Sequence, residues 1–159
     1  MNYSEQDIDE VIGLYADTVY RLAYSMVSNK ADADDIFQEV FLRYIKSNKA
    51  FSDENHRKAW LIRVTVNCCK KLYASAWHKH TLPLNEAALQ DNGYYDTHDE
   101  MLELINTLPL KYKTVIHLFY YEELPIKEIA RLTGQKQTTV RTQLTRARNL
   151  LKERLSEDE

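Results

Sequence analysis

Thr138–Leu155 reads TTVRTQLTRARNLLKERL. At about 100° per residue, Val140, Leu144, Ala147 and Leu151 gather on one side of a helix, while Thr138, Thr145, Arg148 and Lys152 fall within about 60° of Arg141. One stripe is apolar and the other is basic and hydroxylated. Directly upstream, PIKEIARLTG carries Ile126, Ile129, Ala130 and Leu132 at helical spacing and closes on Gly134, a residue suited to a left-handed helix stop. A short helix, the tight turn TGQK and a second helix with a polar first half give the spacing of a helix-turn-helix, whose second helix enters a DNA major groove. Gln137, Thr138, Arg141 and Thr142 then face bases or nearby phosphates, and Lys136, Arg146 and Arg148 face phosphates. An ordinary helical hairpin with a solvated basic face is the competing reading.

The charge distribution favours a polyanion. The chain has a formal net charge of −3 over 159 residues, but the charges are segregated. Residues 1–55 hold five Lys/Arg against eleven Asp/Glu, and residues 56–80 hold six against none. Residues 81–124 hold two against eight, and residues 125–155 hold eight against two. Near-neutrality thus hides two compact basic segments, a pattern suited to a partner touched at two places.

The rest of the chain reads as helix. Ile8, Val11, Ile12, Tyr15, Val19, Leu22 and Met26 predict a helix over residues 7–27. DADDIFQEVFLRYI, Asp32–Ile45, predicts a second, and residues from about His56 to Ala76 a third. HTLPLNEAALQDNGYYDTHDE has Pro83, Gly93 and little periodicity, and reads as a linker. Beyond it, MLELINTL and KYKTVIHLFYYEEL predict helices on either side of Pro109. No strand-like alternation occurs. The expectation is an all-α protein of two small helical domains, residues 1–80 and 99–156, joined by a flexible linker over 81–98, with the helix-turn-helix in the second.

Two helical faces in the first domain have opposite character. On the third helix Leu61, Val64, Thr65, Cys68 and Leu72 share the core side. Trp60, Arg63, Asn67, Lys70 and Ala74 lie on the far half. An aromatic, cations and an amide along one stripe suit single-stranded nucleic acid, and the preceding polar loop with Asn55, His56 and Arg57 could cup an extruded base. Simple burial of Trp60 against another helix is the alternative. On the second helix Asp35, Gln38, Glu39 and Leu42 share a face away from Phe37, Val40 and Phe41. An exposed leucine among acids suits a protein contact.

Composition removes other classes. The polar, acidic start MNYSEQDIDEV does not read as a signal peptide, and no stretch approaches the roughly 18 apolar residues of a membrane span. A cytosolic location without membrane insertion is the expectation. Cys68 and Cys69 are adjacent and read as reduced thiols on a helix. Together with His78 and His80 they leave a redox or metal-sensing site open, with satisfied surface histidines as the default. No nucleophile–base pair and no H-E-x-x-H spacing is present, so no catalytic residue, cofactor or metal is assigned.

DADDIFQEVFLRYI, AWLIRVTVN, LPLKYKTVIHLFYYEELPIKEIARLTG and TTVRTQLTRAR follow in an order and spacing that resembles the bacterial RNA polymerase sigma factors. The short two-domain build resembles their extracytoplasmic-function (ECF) group. The resemblance runs from about Tyr3 to Leu155, with the linker unmatched.

It implies that Asp35, Gln38, Glu39 and Leu42 dock on the clamp helices of the largest subunit of core RNA polymerase. It implies that Asn55, His56, Arg57, Trp60, Arg63, Asn67, Lys70 and Lys71 recognise and open the promoter −10 element. Lys136, Gln137, Thr138, Thr139, Arg141, Thr142, Arg146 and Arg148 would read the −35 element as duplex. The linker would thread towards the active-site cleft and the RNA exit path, and a membrane-linked anti-sigma factor would restrain the protein. Two departures stand out. The third helix ends CKKLYASAWHKH, where the family has a denser arginine run. Gln135 and Gln143 stand where the family usually has an apolar and a basic residue.

The sequence leaves three rival readings open. A helix-turn-helix regulator that binds duplex DNA without polymerase would need a ligand pocket or phosphoacceptor in the first half. An enzyme would need a readable catalytic set. A helical adaptor would leave both basic stripes idle.

Overall fold

A computed structural model describes residues 3–78 and 100–157, and for residues 76–78 the backbone only. The described residues form seven α-helices and no strand. The chain divides into two compact units, Met1–Asp91 and Asn92–Glu159. The all-α, two-unit expectation holds. The linker expected over 81–98, its boundaries and His80 lie outside the described residues, as does the side chain of His78.

The first unit packs three helices, α1 (Glu5–Val27), α2 (Lys30–Ser47) and α3 (Glu54–His78), each against the other two. Ser4 starts α1 through a capping box: the Asp7 amide donates to Ser4 Oγ at 3.1 Å, and the Ser4 amide to Asp7 Oδ2 at 3.3 Å. Ser28 ends it in the left-handed region at φ 57°. Asn29 opens α2 by accepting from the Asp32 amide at 3.2 Å. Val19, Leu22 and Met26 of α1, Tyr44 of α2, and Leu61, Ile62 and Val66 of α3 are fully buried between the helices. Each such side chain contributes about 1.5–3 kcal/mol by leaving water.

α3 starts earlier than its periodicity predicts. The Asp53 carboxylate accepts from the His56 amide at 2.8 Å, so the chain is helical from Glu54. Asn55, His56 and Arg57 therefore occupy the first turn of the helix and not the loop before it. That corrects the expectation: a first turn of polar residues capped by Asp53 adds nothing to the apolar period that marks the helix in the sequence.

The second unit comprises α4 (Glu100–Asn106), α5 (Leu110–Tyr120), α6 (Ile126–Thr133) and α7 (Gln137–Glu157). α5 stops at Tyr120, short of the helix predicted through Leu124. Pro125 disfavours helical geometry at Leu124, and Glu123 turns the chain at φ 54°. Gly134 ends α6 at φ 68°, its amide donating to the Ala130 carbonyl. The apolar stripe of α7, Val140, Leu144, Ala147 and Leu151, is buried as its spacing requires. It joins Ile105, Val115, Ile116, Leu118, Ile129 and Leu132 in one core.

Candidate nucleic-acid and docking surfaces

On α7 the outer face is built from residues the core leaves over. Gln137, Thr138, Thr139, Arg141, Thr142 and Arg146, with Lys136 just before the helix, are all exposed. None of the three cations among them has a carboxylate partner among the described residues. Thr142 Oγ1 donates to the Thr138 carbonyl, and Thr145 Oγ1 to the Arg141 carbonyl, each at 3.0 Å. Each hydroxyl proton is thereby engaged within the helix. The α7 N-terminus carries no acidic residue in its first turn, which leaves its free amides and positive dipole end for an anion. Arg148 stands apart. It is half-buried, its Nε donates to the Tyr120 hydroxyl at 2.8 Å, and its guanidinium lies over the Phe119 and Tyr120 rings at 5.3 and 5.7 Å.

Two residues missed in the sequence join this face. Lys111 and Tyr112, at the start of α5, border a cavity of about 330 Å3 with Thr138, Thr142, Gln143 and Arg146. No local pattern marks Lys111: Lys113, in the same first turn of α5, is buried, so the sequence alone does not say which lysine faces outward. Only the packing of α5 on α7 brings it here.

The α3 face is partly as expected. Arg63, Asn67 and Lys70 are exposed along one stripe, and Arg63 has no carboxylate partner among the described residues. Trp60 is half-buried, set edge-on to Tyr44 and Phe51 at ring separations of 6.1 and 5.8 Å. The Tyr3 ring lies flat on Tyr44 at 4.7 Å, and the Tyr3 hydroxyl donates to the Lys49 carbonyl. Residues 48–53 are therefore held by an aromatic stack, with Phe51 also against His56 at 5.1 Å. Arg57 is engaged within its own fold: it pairs with Glu54 and lies over Phe51 at 5.5 Å.

Lys71 sits with a different group. It lines a groove of about 450 Å3 between α2 and α3 with Asp35, Ile36, Glu39, Cys68 and Leu72.

The α2 face brings Asp35, Gln38, Glu39 and Leu42 together on the surface, with Leu42 49% exposed. Arg43 Nε donates to Glu39 at 2.7 Å, and that bond holds the Glu39 carboxyl below its ordinary value. Burial, and then the neighbouring Asp35 charge, push the Asp32 carboxyl up. Cys68 and Cys69 are both buried, and burial pushes the Cys68 thiol up, away from the reactive thiolate. Among the described residues no group of three or more His, Cys, Asp or Glu could hold a metal ion. No described helix is long and apolar enough to cross a membrane.

Comparison with known proteins gives the same division. Residues 11–79 match the family described as Sigma-70 region 2, and residues 98–151 that described as Sigma-70, region 4. The chain is 32% identical over 145 residues to the RNA polymerase sigma factor SigV of Bacillus subtilis, covering 88% of this chain and 86% of that one. It is 31% identical over 163 residues to the ECF RNA polymerase sigma factor SigW of the same organism, covering 92% and 87%. Among solved structures, the sigma factor RpoE in complex with the anti-sigma factor NepR from Bartonella quintana shares the fold at a TM-score of 0.72 and 19% identity, over 97% of this chain and 99% of that one. CnrH in complex with the cytosolic domain of CnrY does so at 0.69 and 19%, over 98% and 92%.

Proposed function

The chain belongs to the sigma-70 family as an ECF RNA polymerase sigma factor, and on that premise we propose how its surfaces divide the work. It directs RNA polymerase to promoters and is not an enzyme. The acidic α2 face, with Leu42 at its edge, docks on the clamp helices of the polymerase. The exposed stripe of α3, with the stack-supported segment 48–53 beside it, captures and opens the −10 element as single strand. α7 lies in the major groove of the −35 element. Promoter opening needs stacking surfaces and cations, whereas anchoring needs duplex readout and counterion release. Two modules on one tether gain from each other only when their sites are presented at a matching separation, which bound polymerase supplies.

The observation that carries this reading is the set of exposed cations without carboxylate partners, Arg141 and Arg146 on α7 with Lys136 just before it, outward of a buried apolar stripe. The protein acts in the cytoplasm, and an anti-sigma protein restrains it, as the complexes of RpoE with NepR and of CnrH with CnrY suggest by analogy. The test is reconstitution. The purified chain should co-elute with core RNA polymerase, and the mixture should start transcription at promoters found by mapping start sites after overexpression. A chain that passes through the column apart from polymerase, and gives no defined starts, sinks the reading.

A further inference from the structure

We infer that the cavity between the start of α5 and α7 seats one backbone phosphate of the −35 duplex, which adds Lys111, outside the helix-turn-helix, to the DNA footprint. The inference rests on the reading of α7 as the −35 helix and extends it to a neighbouring element.

Three observations converge. Lys111 and Arg146 both border the cavity, and no carboxylate lines it. Neither cation has an ion-pair partner among the described residues. Two helix N-termini meet there. α5 begins after Pro109 with no side-chain cap, and its Tyr112 and Lys113 amides bond to the Pro109 carbonyl at 3.0 Å, which leaves the two preceding amides without helical acceptors. α7 supplies the other, with Thr138 at the rim. Positive dipole ends and fixed cations around one concavity are the requirements of an anion site.

Two unpaired cations and free helix amides around one concavity suit a phosphate. On this face of a duplex-reading helix, its source is the DNA backbone.

The test uses the chain bound to core polymerase and a promoter duplex whose −35 element is defined by start-site mapping. Lys111 is exposed, so Lys111→Ala leaves the fold intact. Each phosphate neutralised contributes about −0.9 to the slope of log K against log salt, so Lys111→Ala should flatten the slope by up to about 0.9. The affinity ratio between about 50 and 200 mM salt then shrinks by up to about 3.5-fold. Lys111→Arg should restore the slope. A neutral methylphosphonate placed at successive linkages should reproduce the loss at one linkage only, and be silent there once Lys111→Ala is present. An unchanged slope, or losses that add at every linkage, overturns the phosphate seat. Arg141→Ala separates the two levels: lost sequence discrimination beside an unchanged Lys111→Ala slope removes the seat alone. Unchanged binding by both variants removes the −35 assignment and the seat with it.

Discussion

Arg148 Nε donates to the Tyr120 hydroxyl at 2.8 Å, and the guanidinium lies over the Phe119 ring. The bond ties the middle of α7 to the end of α5. It also withdraws from the outer face a cation that shares the Arg141 stripe on a helical wheel. Arg141 keeps no such contact, so the two arginines should separate in experiment. Arg141→Ala should leave thermal stability within a degree or two and cost on the order of 5- to 150-fold in discrimination between the −35 element and altered sequences. Arg148→Ala should lower the melting temperature of the second unit through lost packing on two rings. Its effect on DNA affinity should be nearly the same for all sequences. Equal behaviour of the two variants in both assays would contradict this separation.

The contrast separates what a single helix encodes from what a second element decides. The buried stripe of α7 and the Gly134 stop were legible because helical period and left-handed geometry are local properties. The exposed rows on α2 and α3 were legible for the same reason. What was not legible depends on a second element. Trp60 sits on the outer half of α3, yet the segment 48–53 folds back to place Phe51 against it. Arg57 looked like a loop cation until the Asp53 cap drew it into the first turn beside Glu54. Lys71 follows Lys70 in sequence but faces Glu39 across the α2–α3 groove. Lys111 joins the α7 face only through the packing of α5.

Tyr15 links α1 to the start of α3, its hydroxyl donating to Glu54 Oε2 at 2.5 Å. Burial first, then the hydrogen bond to the Glu54 carboxylate and its charge, push this phenol up to about 12 from an ordinary 10.0. The folded state therefore binds the proton more tightly than the unfolded chain. The stability so contributed is complete below about pH 10 and is lost as pH rises through about 12. Tyr15→Phe should remove that part of the alkaline decline. The same bond holds the Glu54 carboxyl below its ordinary 4.5, so Glu54 stabilises above that value and the contribution fades as pH falls. Tyr15→Phe should weaken this acid dependence as well. Urea unfolding followed by tryptophan fluorescence reads the first unit, since both tryptophans, Trp60 and Trp77, precede Asp91. Parallel pH profiles for wild type and Tyr15→Phe on the alkaline side would remove the linkage.

Asp35 and Gln38 are exposed on α2 and contribute nothing to the core. Surface changes of this kind alter folding stability by about 0.5 kcal/mol or less. Asp35→Ala with Gln38→Ala should therefore leave the helical signal and melting curve intact. Their proposed role is to face the polymerase around Leu42. Truncation there should weaken association with core polymerase by about tenfold or more, measured by competition against the wild-type chain. Undiminished association would remove α2 from the interface.

Gln135 and Gln143 depart from the family pattern separately in sequence, but the structure makes them one feature. Gln143 Nε2 donates to Gln135 Oε1 at 2.7 Å, Gln135 Nε2 donates to Thr133 Oγ1 at 3.0 Å, and Thr133 Oγ1 donates to the Ile129 carbonyl at 2.7 Å. The series stitches the end of α6 to α7 across the turn at Gly134. An apolar residue at position 135 would leave the buried Gln143 amide without its acceptor, at a cost of about 1–3 kcal/mol. Removing Gln143 instead frees the half-buried Gln135 to meet water, at a smaller cost. Gln135→Leu should thus destabilise the second unit strongly when made alone and little once Gln143→Leu is present. The coupling should fall within about 0.5–3 kcal/mol. Hydrogen exchange of the Val140 and Leu144 amides measures it locally, because both residues are buried in α7 beside the relay. If Gln135→Leu costs the same in both backgrounds, the two glutamines act independently and the turn is held by Gly134 and the apolar core alone.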